Sequence, residues 1–218
     1  MAKGYRPGVT PKTVKTTGQE ATLIDIGKVK HRAEDFFEAH RMIILGVLGG
    51  LVLIVGGWLL YKFMYQEPKN TEALEQMYQA EFLFQKDSFD MALNNPGGGF
   101  AGFAEIADNY GGTPAGNLAR YYAAVCCLNI KKIQEAKSYI EEFDASGLVM
   151  PILKEGILGD IYAELNDFDT ALKHYEKAIS IRKNDFLTPV YLKKLGILKE
   201  KLGDDAGALK AYQEIKSK

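Results

Sequence analysis

The amino-acid sequence predicts an all-α chain, with a single N-terminal transmembrane helix followed by an α-solenoid of paired helices. Two observations carry that expectation. Residues 42–61 form a run of 20 residues without a charge, and behind it small and aromatic residues recur at a nearly constant interval. At a rise of about 1.5 Å per residue the run covers roughly 30 Å as a helix, the thickness of a bilayer's hydrocarbon core. A buried core helix usually shows a polar stripe or is shorter. Of the 218 residues, 47% are hydrophobic and 25% charged, the balance of a folded protein. The net charge is −1, but residues 1–41 hold eight Lys/Arg against five Asp/Glu, so the remainder is acidic and a poor prospect for nucleic acid.

Residues 1–24 are rich in Pro, Gly, Thr and Lys with almost no large apolar side chains. They cannot offset their ordering entropy and are expected to form a flexible cytoplasmic tail. From 25 to 41 the pattern changes: Ile26, Val29, Ala33, Phe36 and Phe37 recur at helical spacing among Lys28, Lys30, Arg32, Glu34 and Asp35. This reads as an amphipathic juxtamembrane helix, lying on lipid or a membrane partner, or as a helical extension of the anchor.

The transmembrane helix is expected over 42–63. Trp58, Tyr61 and Tyr65 gather with Lys62 at its end, the amphipathic anchors of a membrane interface. A cleaved signal peptide would need a small-x-small site after the run, and none follows. Gly46, Gly50 and Gly57 fall on one helical face, where small residues let another transmembrane helix approach. Lys28, Lys30, Arg32 and Arg41 precede the span while Lys62 and Lys69 follow it. The excess of positive charge places the N-terminus in the cytoplasm and the C-terminal domain outside, which for a bacterial inner membrane is the periplasm.

Residues 64–116 read as a divergent helical hairpin. Ala73, Met77, Ala80 and Phe84 share one face of a helix over 71–85, and a second helix is expected over 100–110. Between them "NNPGGG", residues 94–99, is a loop; the Lys-Ser/Thr continuation of a phosphate-binding loop is missing.

Three repeats fill 117–218. Leu158, Gly159 and Tyr162 are followed by an Asn166-Asp167 turn, with Asp167 as helix N-cap, and then by Ala171, Tyr175 and Ala178. Thirty-five residues earlier stand Ala123, Ala124 and Cys127, then Ala136, Ile140 and Phe143; thirty-seven later stand Leu195, Gly196 and Lys199, then Ala208, Tyr212 and Ile215. That spacing is the tetratricopeptide pattern of antiparallel helix pairs, with small residues where the two helices approach. Lys199 departs from it and suits the polar cap of a last unit. A longer connection precedes the third unit, and Thr188-Pro189 is expected to start a helix at Pro189.

The tetratricopeptide register implies a concave partner groove along the first helix of each pair. Carried onto this chain, it is lined by Leu118, Tyr121, Val125 and Leu128, then Leu153, Gly156 and Asp160, then Val190, Lys193 and Ile197, with Tyr121 as aromatic anchor. The charged clamp used by some tetratricopeptide proteins is not reproduced, because Tyr121, Tyr122 and Val125 occupy its positions.

Chemistry is absent from the pattern. His31, His40 and His174 stand apart, no H-E-x-x-H, Cys-x-x-Cys or G-x-S-x-G occurs, and no catalytic residue, cofactor site or metal site is expected. Adjacent Cys126 and Cys127 would strain a mutual disulfide and read as small buried residues.

A short tail, one anchor and an outward tetratricopeptide domain resemble the YfgM-type ancillary subunits of the SecYEG protein-export translocon, in their Bacteroidetes form. The stretch "DSFDMALNNPGGGFAGFAEIADNYGGTPAGNLARYY" is the most similar. The resemblance implies partnership with the translocon, with a membrane-anchored periplasmic peptidyl-prolyl isomerase and with newly exported chains. A scaffold for another envelope complex, in division or surface-protein secretion, shares every feature. A cytosolic adaptor of inverted topology is disfavoured by the charge asymmetry.

Overall fold

A computed structural model of the chain describes residues 26–216, with side chains from residue 36 onward. The tail expected over 1–24 lies outside the described residues, as do the side chains of Ile26, Val29 and Ala33. Two compact units divide the chain, residues 1–56 and 57–218.

Helix α1 (Ile26–Tyr61) makes up the described part of the first unit and runs into the second. Phe36 stacks on His40 one turn later, with ring centroids 4.5 Å apart. Its apolar side chains are uncovered: Leu51, Val52, Leu53 and Ile54 are all exposed. The most apolar window has a mean hydropathy of 2.6 and none of it is buried, unlike the core helix of a soluble protein. By length and composition α1 is able to cross a membrane. Gly46, Gly50 and Gly57 have nothing within 4 Å of where a Cβ would stand.

The second unit opens with the last turn of α1 and a π-helical turn, Lys62–Gln66. The Glu67 N–H donates to the Lys62 carbonyl, five residues back rather than four. Pro68 accounts for the widening, since its ring would crowd the carbonyl of residue 64 in a regular helix. There follow α2 (Glu67–Phe84), α3 (Phe89–Asn94), α4 (Phe103–Asn109), α5 (Pro114–Asn129), α6 (Ile133–Glu142), α7 (Met150–Glu164), α8 (Phe168–Ile181), α9 (Leu187–Lys201) and α10 (Asp205–Lys216). Among the described residues there is no strand. The described residues are therefore all-α, and α5/α6, α7/α8 and α9/α10 are successive packed pairs.

One turn recurs. Asp87, Lys131, Asn166 and Gly203 each adopt a left-handed backbone, with φ of 56°, 66°, 60° and 81°. After each, the next N–H reaches back to close the preceding helix: Ser88 to Leu83, Lys132 to Cys127, Asp167 to Tyr162 and Asp204 to Lys199. The same distance beyond each turn stands a buried alanine, Ala92, Ala136, Ala171 and Ala208. The first hairpin thus shares the geometry of the three repeats, and its second helix starts at Phe89 instead of near residue 100. That helix is broken in two. Pro96 forces Asn95 into an extended conformation (φ −157°, ψ 88°), which ends α3, and Gly97, Gly98 and Gly99 continue at positive φ before α4 resumes.

Helix starts follow their caps. Thr113 accepts from the Gly116 N–H at 3.0 Å ahead of Pro114, and Asp167 accepts from Thr170 at 3.2 Å. Helix α9 begins at Leu187, two residues before the expected Pro189, because Asn184 Oδ1 accepts from the N–H groups of Phe186 and Leu187. Thr188 Oγ1 in turn accepts from the Asn184 N–H at 2.9 Å.

Candidate functional site

The first helices of the three pairs, α5, α7 and α9, present a groove. One depression of about 490 Å³ is lined by Val125, Leu128 and Asn129 from α5, Asp160, Ala163 and Glu164 from α7, and Tyr175 from α8. A second, of about 510 Å³, shares Asp160, Ala163, Glu164 and Tyr175 and continues to Lys194, Ile197 and Lys201 on α9. The shared residues make the two one surface.

Asp160 is its centre. It accepts from the Tyr175 hydroxyl at 2.7 Å and from Lys194 Nζ at 2.7 and 2.5 Å, tying α7 to its own partner helix and to the next pair. Burial first, then the negative charge of Asp160, raises the Tyr175 hydroxyl above the ordinary phenol range, so it remains a donor. Lys131 and Glu164 pair at 2.8 Å on the rim between the first two pairs. The lining mixes Val125, Leu128 and Ile197 with Asn129, Asp160, Glu164 and Lys194, so it offers both apolar contact and fixed charges to a partner.

Not all the expected lining residues meet there. Val125, Leu128, Asp160 and Ile197 line the groove, and Ile197 is 50% exposed. Leu118 lines a separate depression with Gln66, Arg120, Glu142 and Met150. Tyr121 is half-buried against the core, with its ring 5.5 Å from Tyr122 and 5.7 Å from Phe143, and lines neither depression. Gly156 is no lining residue at all: the Tyr191 ring covers it, where a Cβ would collide. Leu153 is half-buried, while Val190 and Lys193 are exposed without lining either depression. Tyr175, Glu164, Lys194 and Lys201 escaped the sequence register. A signal for two of them existed, since both inter-pair ion pairs join opposite charges 33 or 34 residues apart, close to one repeat.

His174 has a partner that sequence did not suggest. Its Nδ1 lies 2.8 Å from Oε2 of buried Glu155, whose other oxygen takes Lys177 Nζ at 2.7 Å, and its ring stacks on Tyr162. Burial opposes ionisation of Glu155, but the donors from Lys177 and His174 prevail and hold its carboxyl below the usual range. Cys126 and Cys127 are fully buried free thiols, pushed up by burial to about 12 and about 11, values that suppress the thiolate. Among the described residues no group of three His, Cys, Asp or Glu is placed to hold a metal ion.

Comparison with protein families finds the tetratricopeptide repeat over residues 156–185, from the middle of α7 to just beyond α8. Comparisons with curated proteins and with solved structures give no match. The described residues are all-α, with a long apolar helix ahead of successive packed helix pairs, and within those pairs residues 156–185 match the tetratricopeptide repeat, a protein–protein interaction module.

Proposed function

We propose that this chain is a membrane-anchored interaction protein whose groove across α5, α7 and α9 holds a segment of a protein partner. The observation that carries the reading is the continuity of that groove over three helix pairs, with Ile197 exposed on its floor. The resemblance extends it. The chain is an ancillary subunit of the SecYEG translocon in a bacterial inner membrane, with its N-terminus cytoplasmic and its repeats periplasmic. There it assists newly exported chains together with a membrane-anchored peptidyl-prolyl isomerase. Val125, Leu128 and Ile197 set among ion pairs suit a segment of such partners that offers both apolar and charged side chains.

Crosslinking in intact membranes followed by mass spectrometry tests both levels. The native chain is expected to capture translocon subunits and the isomerase. Ile197→Asp is expected to weaken capture by about 2 kcal/mol, the scale of an interface hot spot, without altering the melting temperature. Capture of division or surface-secretion proteins instead would assign the chain to a different envelope complex. Undiminished capture by the variant would move the partner off the groove.

A further inference from the structure

The connections that lead from the second helix of one pair to the first helix of the next, residues 110–113, 143–149 and 182–186, form one edge of the solenoid. The first is tied to the end of the apolar helix region, where Gln66 Nε2 donates to the Gly112 carbonyl at 3.1 Å. The second lies beside it: Gln66, Gly112 and Thr113 line one depression together with Asp144, Ser146 and Met150. The third follows from the parallel course of α7 and α9, since the Tyr191 ring near the start of α9 covers Gly156 in α7.

This edge carries large apolar side chains in the open. Phe186 is 87% exposed, Leu148 65% and Val149 41%. Local bonds hold the backbone at Asp144 and at Phe186. The Asp144 N–H and carbonyl are both paired with the Asn117 side chain at 2.9 Å, and Asn184 accepts from the Phe186 N–H at 3.0 Å. Phe186 is thus presented outward by a capped turn, with Arg182 and Lys183 before it and Asp185 beside it. On the same compact unit, Trp58, Tyr61 and Tyr65 are exposed, Lys62 Nζ lies 5.4 Å from the Trp58 ring centroid, and Lys69 Nζ lies 4.6 Å from that of Tyr65. Aromatic rings with lysines beside them are the side chains that settle at headgroup depth.

We propose that this edge rests on the phospholipid surface that the apolar helix enters, with Leu148, Val149 and Phe186 inserted among the headgroups. The inference rests on the anchor reading of α1. Tyr61 and Tyr65 line one depression with Gln66 and with Gly112 and Thr113 of the first connection, and the two further connections carry the side chains that membrane-surface contacts use.

The test uses the full chain in nanodiscs of phosphatidylethanolamine and phosphatidylglycerol, with and without a headgroup-spin-labelled lipid. Leu148→Cys, Phe186→Cys and, as a control at the opposite edge, Asp169→Cys each carry a small thiol-reactive fluorophore; Cys126 and Cys127 are buried and do not compete. Trp58, the sole tryptophan, reports the anchor. We expect emission at 148 and 186 to fall about twofold or more with spin-labelled lipid while 169 is unaffected. Quenching of Trp58 without quenching at both 148 and 186 overturns the proposal and leaves the anchor standing. An unquenched Trp58 removes the anchor reading and the proposal with it.

Discussion

At Gly159 the repeat leaves no room for a methyl group, because a Cβ there would stand 2.5 Å from the Tyr175 ring. Gly196 stands in the same relation to Tyr212, while the corresponding positions of the first pair hold buried Ala124 and Ile140. Where the first helix gains a methyl, the second gives up a ring, so filled volume is shared between the two positions. Gly159→Ala is accordingly expected to cost about 1 to 3 kcal/mol in urea unfolding, as overpacking does. Adding Tyr175→Ile should make the double variant more stable than the two single losses predict together, whereas simple additivity would show that the pair does not interact. Residues of this kind were legible because so few side chains fit under a ring. Lys131 was not legible. Lysine has no preference for the left-handed conformation it adopts at φ 66°, and only the fold around it imposes that turn.

Helices show the same division. Asp167 announces the start of α8 by an ordinary cap, but the start of α9 depends on Asn184 and Thr188 bonding each other's neighbourhood across the turn, and Pro189 was the more conspicuous sign. The break between α3 and α4 was legible as a loop, yet the helix before it was not. Six residues are too few to show a period, and only the turn at Asp87 aligns Ala92 with its counterparts. Between α7 and α8 the Glu155 pair makes a pH-dependent contact. Its folded carboxyl titrates below the unfolded value, so its contribution is present above the unfolded pKa and is lost as pH falls through the folded one. Melting temperature followed from neutral pH into acid should therefore decline more steeply in the native chain than in Glu155→Gln. Parallel acid limbs would assign the decline to other carboxylates.

For the chain as a whole, the long uncharged run was the most legible feature, since a bilayer core tolerates few alternatives over that length. The groove was legible only in outline. Its register follows from helix geometry, but ion pairs and rings decide which positions stay open, as Gly156 under Tyr191 demonstrates. Orientation rests on the basic residues before the span. A reporter active only outside the cytoplasm, fused after Lys218, is expected to be active, and activity of a cytoplasm-only reporter would invert the assignment.

The π turn at Lys62–Gln66 has a consequence for rotation. One extra residue in a helical turn shifts the phase of everything beyond it by about 100°. Trp58 and Tyr61 lie before that insertion and α2 after it, so the turn works as a phase adjuster between the ring-bearing turn and the first repeat-like hairpin. Shortening it by one residue would turn the aromatic rings to a different bearing against α2 and press the Pro68 ring onto the carbonyl that the wider turn clears.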